Sequence, residues 1–155
     1  MDENPTPIYS GLLLEFNAAP TTINQIYNFY VWAKNNRDFS DNSLSVSAAL
    51  GNPPLKPSPP TLDKQSTNST YARIVWTEGV STDLSILGYS LYSDNMGNLE
   101  FSQIFNGLGS PNRLNFLHGP LETGQNYNYK VSVLTFNGES ELSDVLSIKV
   151  CGSPK

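Results

Sequence analysis

The 155-residue chain holds one imidazole, His118, and one thiol, Cys151. Nucleophilic catalysis needs a nucleophile, a base and a group that orients the base. Zinc needs about four clustered ligands, so one His and one Cys can assemble neither site. His118 lies in a His-Gly-Pro stretch between two apolar-alternating runs and reads as a solvated or capping residue of a turn. Cys151 follows the last such run. It is either a small residue at a domain end or half of a disulfide to a neighbouring module or chain, since a lone Cys cannot bridge internally. Glu139, Glu141 and Asp144 could form a carboxylate pair, but no cleft signal accompanies them, and a solvated acidic loop is expected. Asp94-Asn-Met-Gly-Asn-Leu-Glu100 has the look of a calcium loop. Calcium of that type takes oxygen ligands at the first, third and fifth positions, and Met96 occupies the third, so a hairpin turn is the reading. No catalytic residue, metal site or cofactor is expected, and the chain does not read as an enzyme.

Modification and binding leave fainter marks. Asn68-Ser69-Thr70 is a glycosylation sequon, and Asn68 falls in a loop expected between the first two strands of the longer repeat unit. Nine basic residues against fourteen acidic ones give a net charge of −5 and a pI near 4.7. The basic residues are scattered, and nucleic acid and anionic membranes are bound mainly through Lys and Arg; neither is an expected partner. No apolar run approaches the roughly 18–20 residues of a membrane span, so no membrane insertion is expected. The first residues, Met1-Asp2-Glu3-Asn4-Pro5, lack the basic start and apolar stretch of a signal peptide, so any secretion signal is expected to lie outside this chain. Charged residues make up only 15% of the chain, and 17 Asn with 19 Ser supply the polarity instead.

Any such group must be positioned by strands. Ala72, Ile74 and Trp76 alternate with Arg73 and Val75, the period of two that marks a strand with one dry face. The pattern returns at Leu87-Tyr89-Leu91, at Leu114-Phe116, at Tyr127-Tyr129-Val131-Val133 and at Leu146-Ile148-Val150. Asp94–Gly97, Asn106-Gly107, Gly119-Pro120 and Asn137-Gly138 punctuate these runs as turns. No window carries a helical apolar period. Six or seven short antiparallel strands fit two packed sheets; a closed barrel of similar strand count is the alternative.

Shifting the chain by one hundred positions aligns it with itself: Leu14 with Leu114, Phe16 with Phe116, Tyr27 with Tyr127, Val31 with Val131, and Ser40, Ser43 and Ser47 with Ser140, Ser143 and Ser147. Ile8-Tyr9-Ser10-Gly11 resembles Ile104-Phe105-Asn106-Gly107 across a loop four residues shorter. Residues 59–151 therefore read as a complete unit and 1–51 as the later strands of a preceding one. Residues 52–58 between them are a proline-rich linker, expected to be an extended, semi-rigid spacer.

A sandwich this small needs one large side chain between its sheets, and Trp76 ends an alternating strand where it can supply it; Leu121, six residues before Tyr127, has the spacing of a tyrosine corner. With Pro59-Pro60, Gly88-Tyr-Ser-Leu-Tyr92, the run Tyr127-x-Tyr-x-Val-x-Val133 and Gly138-x-Ser140-x-x-Ser143, these residues resemble a fibronectin type III domain. The resemblance implies an immunoglobulin-like antiparallel β-sandwich, in tandem, over 59–151 and in part over 1–51. The first copy departs from the pattern in having Thr21 for Leu121, Asn24 for Gly124 and Asp38 for Gly138. Where some such domains display Arg-Gly-Asp, this chain has Asn137-Gly138-Glu139-Ser140, and no binding of that kind is expected. The Asn-rich composition and terminal Cys are similar to module arrays on the surfaces of single-celled eukaryotes.

These features imply a structural or interaction module of a larger extracellular or cell-surface array, with other modules or neighbouring chains as partners. A second reading is a head-to-tail homopolymer in which another chain supplies the missing early strands. A third is an accessory carbohydrate- or protein-binding module of a secreted enzyme or receptor. Alternation places Trp32 and Tyr30 opposite the inward Tyr27, Phe29 and Val31, as a candidate interaction surface, with Tyr9 and Tyr92 as further outward aromatics.

Overall fold

The computed structural model describes residues 7–19, 22–95, 98 and 100–151. Ten strands and no helix occur among them: β1 (Ile26–Phe29), β2 (Val46–Ala49), β3 (Thr61–Asp63), β4 (Ala72–Val75), β5 (Gly88–Asn95), β6 (Phe101–Asn106), β7 (Asn115–His118), β8 (Asn126–Thr135), β9 (Gly138–Glu139) and β10 (Leu146–Lys149). From β3 onward they form two sheets, β3-β4-β7 and β10-β8-β5-β6, with β9 a short extra partner of β8. All the pairings are antiparallel, the longest running from Gly88↔Leu134 to Asn95↔Tyr127 between β5 and β8. These are the two packed leaves expected of a sandwich, with no closure into a barrel.

The core is what the alternation selects. Ala72 and Ile74 of β4 face Tyr89 and Leu91 of β5 and the inward residues of β8, Tyr127 to Val133, all in one buried cluster. The Trp76 indole joins the leaves at a centroid distance of 6.1 Å from the Tyr89 ring and 6.0 Å from the Phe105 ring. Tyr127 closes the rim as the corner requires, its hydroxyl accepting the Glu122 N–H at 3.0 Å.

The strands at 26–49 reproduce β8 and β10 shifted by one hundred. β1 pairs with β2 from Ile26↔Ala49 to Phe29↔Val46, and β8 pairs with β10 from Asn126↔Lys149 to Tyr129↔Leu146. The hydrogen bonds repeat as well. The Ser43 hydroxyl accepts from Val31 N as Ser143 does from Val131 N, and Ser40 accepts from Ala33 N as Ser140 does from Val133 N. Thr22 N donates to the Tyr27 hydroxyl at 2.7 Å, so the first corner forms despite its altered turn; Thr21 lies outside the described residues.

Burial does not repeat. Val131 is 0% exposed and Val150 5%, whereas Val31 is 73% and Leu50 48% exposed. A buried valine side chain contributes roughly 1.5–3 kcal/mol. Val131→Ala should therefore cost about 2 kcal/mol, and Val31→Ala less than about 0.5, a contrast that urea unfolding of the two variants measures.

The proline-rich stretch departs from a free spacer. Pro54, Pro57 and Pro60 are buried and their neighbours exposed, a burial period of three that matches a polyproline II helix laid along a surface. Leu55 N donates to Val80 O at 3.0 Å, and the Lys56 ammonium reaches Asp144 at 2.6 Å, holding that carboxyl below its usual range. Proline rings add apolar contact at little entropic cost because φ is already fixed, so the segment becomes a strap on the unit that follows.

Candidate interaction surfaces

The strap leads back to a joint between the β1–β2 hairpin and the loops of the following unit. Asn24 has φ of 63°, where its counterpart Gly124 has 90°, a left-handed turn that Gly and Asn tolerate best. Each closes the same backbone bond, Asn24 N to Leu50 O and Gly124 N to Val150 O. Asn24 alone carries a side chain there. Its Oδ1 accepts from Ser85 N at 3.0 Å and its Nδ2 donates to the Ser85 hydroxyl at 3.1 Å. Beside it the Asp83 carboxylate accepts from Asn52 N at 2.8 Å and from Asn52 Nδ2 at 2.6 Å, bonds that lower its pKa. From the β8–β9 turn, Asn137 Nδ2 donates to the carbonyls of Ala49 and Gly51, both at 3.0 Å. Gly51 packs so closely on Leu84 that a Cβ there would lie 2.5 Å from its Cγ. None of these residues was singled out as a joint from sequence; the exchange of Gly124 for Asn24 was the available signal.

The residues that sequence pattern nominated are placed separately. The rings of Tyr30 and Trp32 pack at a tilt, 5.7 Å apart, and are half-buried, while Val31, read as inward, is the exposed one. The reason is local: no sheet covers the Val31 face among the described residues. Tyr9 stacks on Phe16, and the Tyr92 hydroxyl donates to Glu139 at 2.7 Å, so these aromatics form no continuous row with Trp32. Burial and the Glu139 carboxylate push the Tyr92 phenol up to about 12. Glu139, exposed like Glu141 and Asp144, also accepts from the Ser132 hydroxyl.

Asn68 is exposed in the β3–β4 loop, its Oδ1 accepting from Thr70 N and Tyr71 N at 2.8 Å. Cys151 is exposed just after β10, and both residues line one shallow depression with Leu121 and Val150. In the 94–100 turn, Met96, Gly97 and Leu99 lie outside the described residues. Asp94, at its start, is fully buried and accepts from Asn128 N and Nδ2 at 2.9 and 2.8 Å, so its oxygens serve the sheet. No group of three metal-ligating side chains occurs among the described residues. No helix long and apolar enough to cross a membrane occurs among the described residues.

His118 departs from the turn-residue reading. It is the last residue of β7, half-buried, its ring edge-on to Tyr129 and its Nδ1 2.9 Å from the Tyr129 hydroxyl. Alternation explains this: Phe116 and His118 face the partner leaf while Leu117 is 52% exposed. Burial lowers its pKa. The unfolded chain binds a proton near pH 6.5 that the folded chain refuses, so stability rises with pH through this range. The contribution is complete above about pH 6.5 and is lost as pH falls through that value toward the folded pKa. Chemical unfolding between pH 7.5 and 5 should show a steeper loss in the parent chain than in His118→Gln.

No protein-family model and no curated protein sequence matches this chain. Its fold does match solved structures. The sixth fibronectin type III domain of human fibronectin type III domain containing protein 3 is 17% identical, covering 70% of this chain and 94% of that domain at a TM-score of 0.56. Another fibronectin type III domain of that human protein is 22% identical, covering 68% and 94% at 0.53. The chicken CNTN1 FN1–FN3 domains are 15% identical at 0.57, covering 86% of this chain, a span longer than residues 59–151 can fill, and 45% of that three-domain chain. The chain has the fibronectin type III fold.

Proposed function

We propose that this chain is a non-catalytic structural and interaction segment of a larger multi-module protein, working outside the cell or at its surface. Residues 59–151 are one complete module, 52–58 its strap, and 1–51 the later strands of the module before it. One observation carries the reading: two copies of the same strands and hydrogen bonds, one hundred residues apart, are held by the Asn24–Ser85 and Asn52–Asp83 pairs. A chain that repeats a folding unit and spends polar side chains on fixing neighbouring units is suited to setting spacing and direction. The fold is that of modules found in tandem in the CNTN1 structure, and the low count of Lys and Arg is compatible with protein partners and not with nucleic acid.

Force extension of end-linked copies tests it. Residues 59–151 should unfold in discrete events, one per copy, preceded by a smaller event that Asn24→Gly with Asn52→Ala removes. A smooth, coil-like extension would refute the reading.

A further inference from the structure

We infer that Asn68 is the acceptor of an N-linked oligosaccharide whose first sugar lies over the depression beside Cys151. This rests on the reading that the chain works outside the cell, and it names a modification that belongs with that placement.

The side-chain amide of Asn68 divides its two halves between fold and chemistry. Asn68-Ser69-Thr70 sets an amide and a hydroxyl at the spacing an oligosaccharyl transferase reads, with no proline between them. The carbonyl serves the fold. Oδ1 accepts from Thr70 N and Tyr71 N, both at 2.8 Å, and Asn68 N donates to Tyr71 O at 2.9 Å, which closes the turn. Nδ2 makes no hydrogen bond among the described residues. By contrast, the Nδ2 groups of Asn24, Asn52, Asn128 and Asn137 each donate to another residue, and a sugar on any of them would break a bond of the fold.

Transfer uses the unused half. Nδ2 attacks the anomeric carbon of a sugar carried on a polyprenyl pyrophosphate. The C–N bond forms, the C–O bond to the pyrophosphate breaks, the lipid pyrophosphate leaves, and one Nδ2 proton passes to a base of the transferase. The product is a secondary amide that keeps its carbonyl, so both acceptor bonds of the turn survive.

The surroundings have room for the product. Asn68 is exposed in the β3–β4 loop. It lines a shallow depression of about 390 Å³ with Leu62, Leu121, Ile148, Val150 and Cys151, a size at the lower end of small-ligand sites. A pyranose ring presents an apolar C–H face, and these aliphatic side chains supply the matching surface. The loop is tied to the corner, Leu121 N donating to Thr70 O at 2.7 Å. It shares no residue with the joint at Asp83, Ser85 and Asn137, so a glycan at 68 leaves that joint intact.

The test expresses the full chain behind a cleavable secretion signal in cultured eukaryotic cells. The product should run as a slower band. Peptide N-glycosidase should return it to the mobility of Thr70→Ala and leave aspartate at 68. The Thr70 hydroxyl makes no bond among the described residues, so Thr70→Ala keeps the turn, and Thr70→Ser should restore the slower band. An unmodified Asn68, in chain secreted or held in the secretory pathway, overturns the inference. After reduction, Cys151 of the glycosylated chain should react with a polymer-bearing maleimide several-fold more slowly than after glycosidase treatment. Equal rates overturn the placement over the depression. The signal delivers the chain to the transferase wherever the chain ordinarily works, so the modification is tested apart from the module reading. Coil-like extension of glycosylated copies would count against the module and leave the modification standing.

Discussion

Replacing Trp76 with alanine should remove about 3–5 kcal/mol from the stability of residues 59–151, a large part of the roughly 5–15 kcal/mol typical of a domain. The indole is 5% exposed and continues β4 on one leaf, about 6 Å from the rings of Tyr89 and Phe105, both on the other leaf. Removing it opens a cavity that neither sheet can close without sliding its hydrogen-bond register. Its Nε1 has no hydrogen-bond partner within the described structure, so the loss is one of packing. Trp76→Phe separates these contributions: it forfeits no hydrogen bond and should cost less than about 2 kcal/mol. Urea unfolding followed by circular dichroism gives both values, and an alanine cost under about 1 kcal/mol would mean that the indole does not hold the leaves together.

Gly88→Ala should be nearly as damaging, for the opposite reason. A methyl group at position 88 would fall on the carbonyl oxygen of Gly107, next to the point where Gly107 N donates to Tyr89 O at 2.8 Å. The obstacle is backbone, so no rotamer change relieves it. Overpacking usually costs about 1–3 kcal/mol, and a rigid neighbour places this case near or above the upper end, about 3 kcal/mol. Gly124→Ala is the control, since a Cβ at 124 meets nothing within 4 Å. Its cost should be limited to the left-handed turn, about 1 kcal/mol. Equal losses in the two variants would contradict the close approach at 88.

Much of the fold was legible because it rests on period and spacing. Alternation picked the buried residues of β4, β5 and β8, and the six-residue interval from Leu121 to Tyr127 located the corner. The hundred-residue shift appeared as register and as serine hydroxyls bonded to equivalent amides. What stayed hidden depends on neighbours remote in sequence. His118 looked like a turn residue because Gly119-Pro120 follows it, and only pairing with β4 extends β7 far enough to turn its ring inward. The prolines announced an extended segment, but the side of the sandwich they lean on is fixed by Val80 and Asp144, 25 and 88 residues from their partners Leu55 and Lys56. Val31 reads as a core residue from pattern alone. Pattern says which face of a strand is apolar; whether anything covers that face is decided by other strands.

The joint puts two demands on one position. The turn at 24 needs a residue at ease with positive φ, which narrows the choice to little beyond Gly, Asn and Asp. Ser85 is then met by both the carbonyl and the N–H of that same side chain, a pair of groups that Gly lacks and ionised Asp offers only in its acceptors. Asparagine meets both, so a single-letter difference between repeats gives the corner at 24 a side chain bolted to the neighbouring unit, which the glycine at 124 cannot supply.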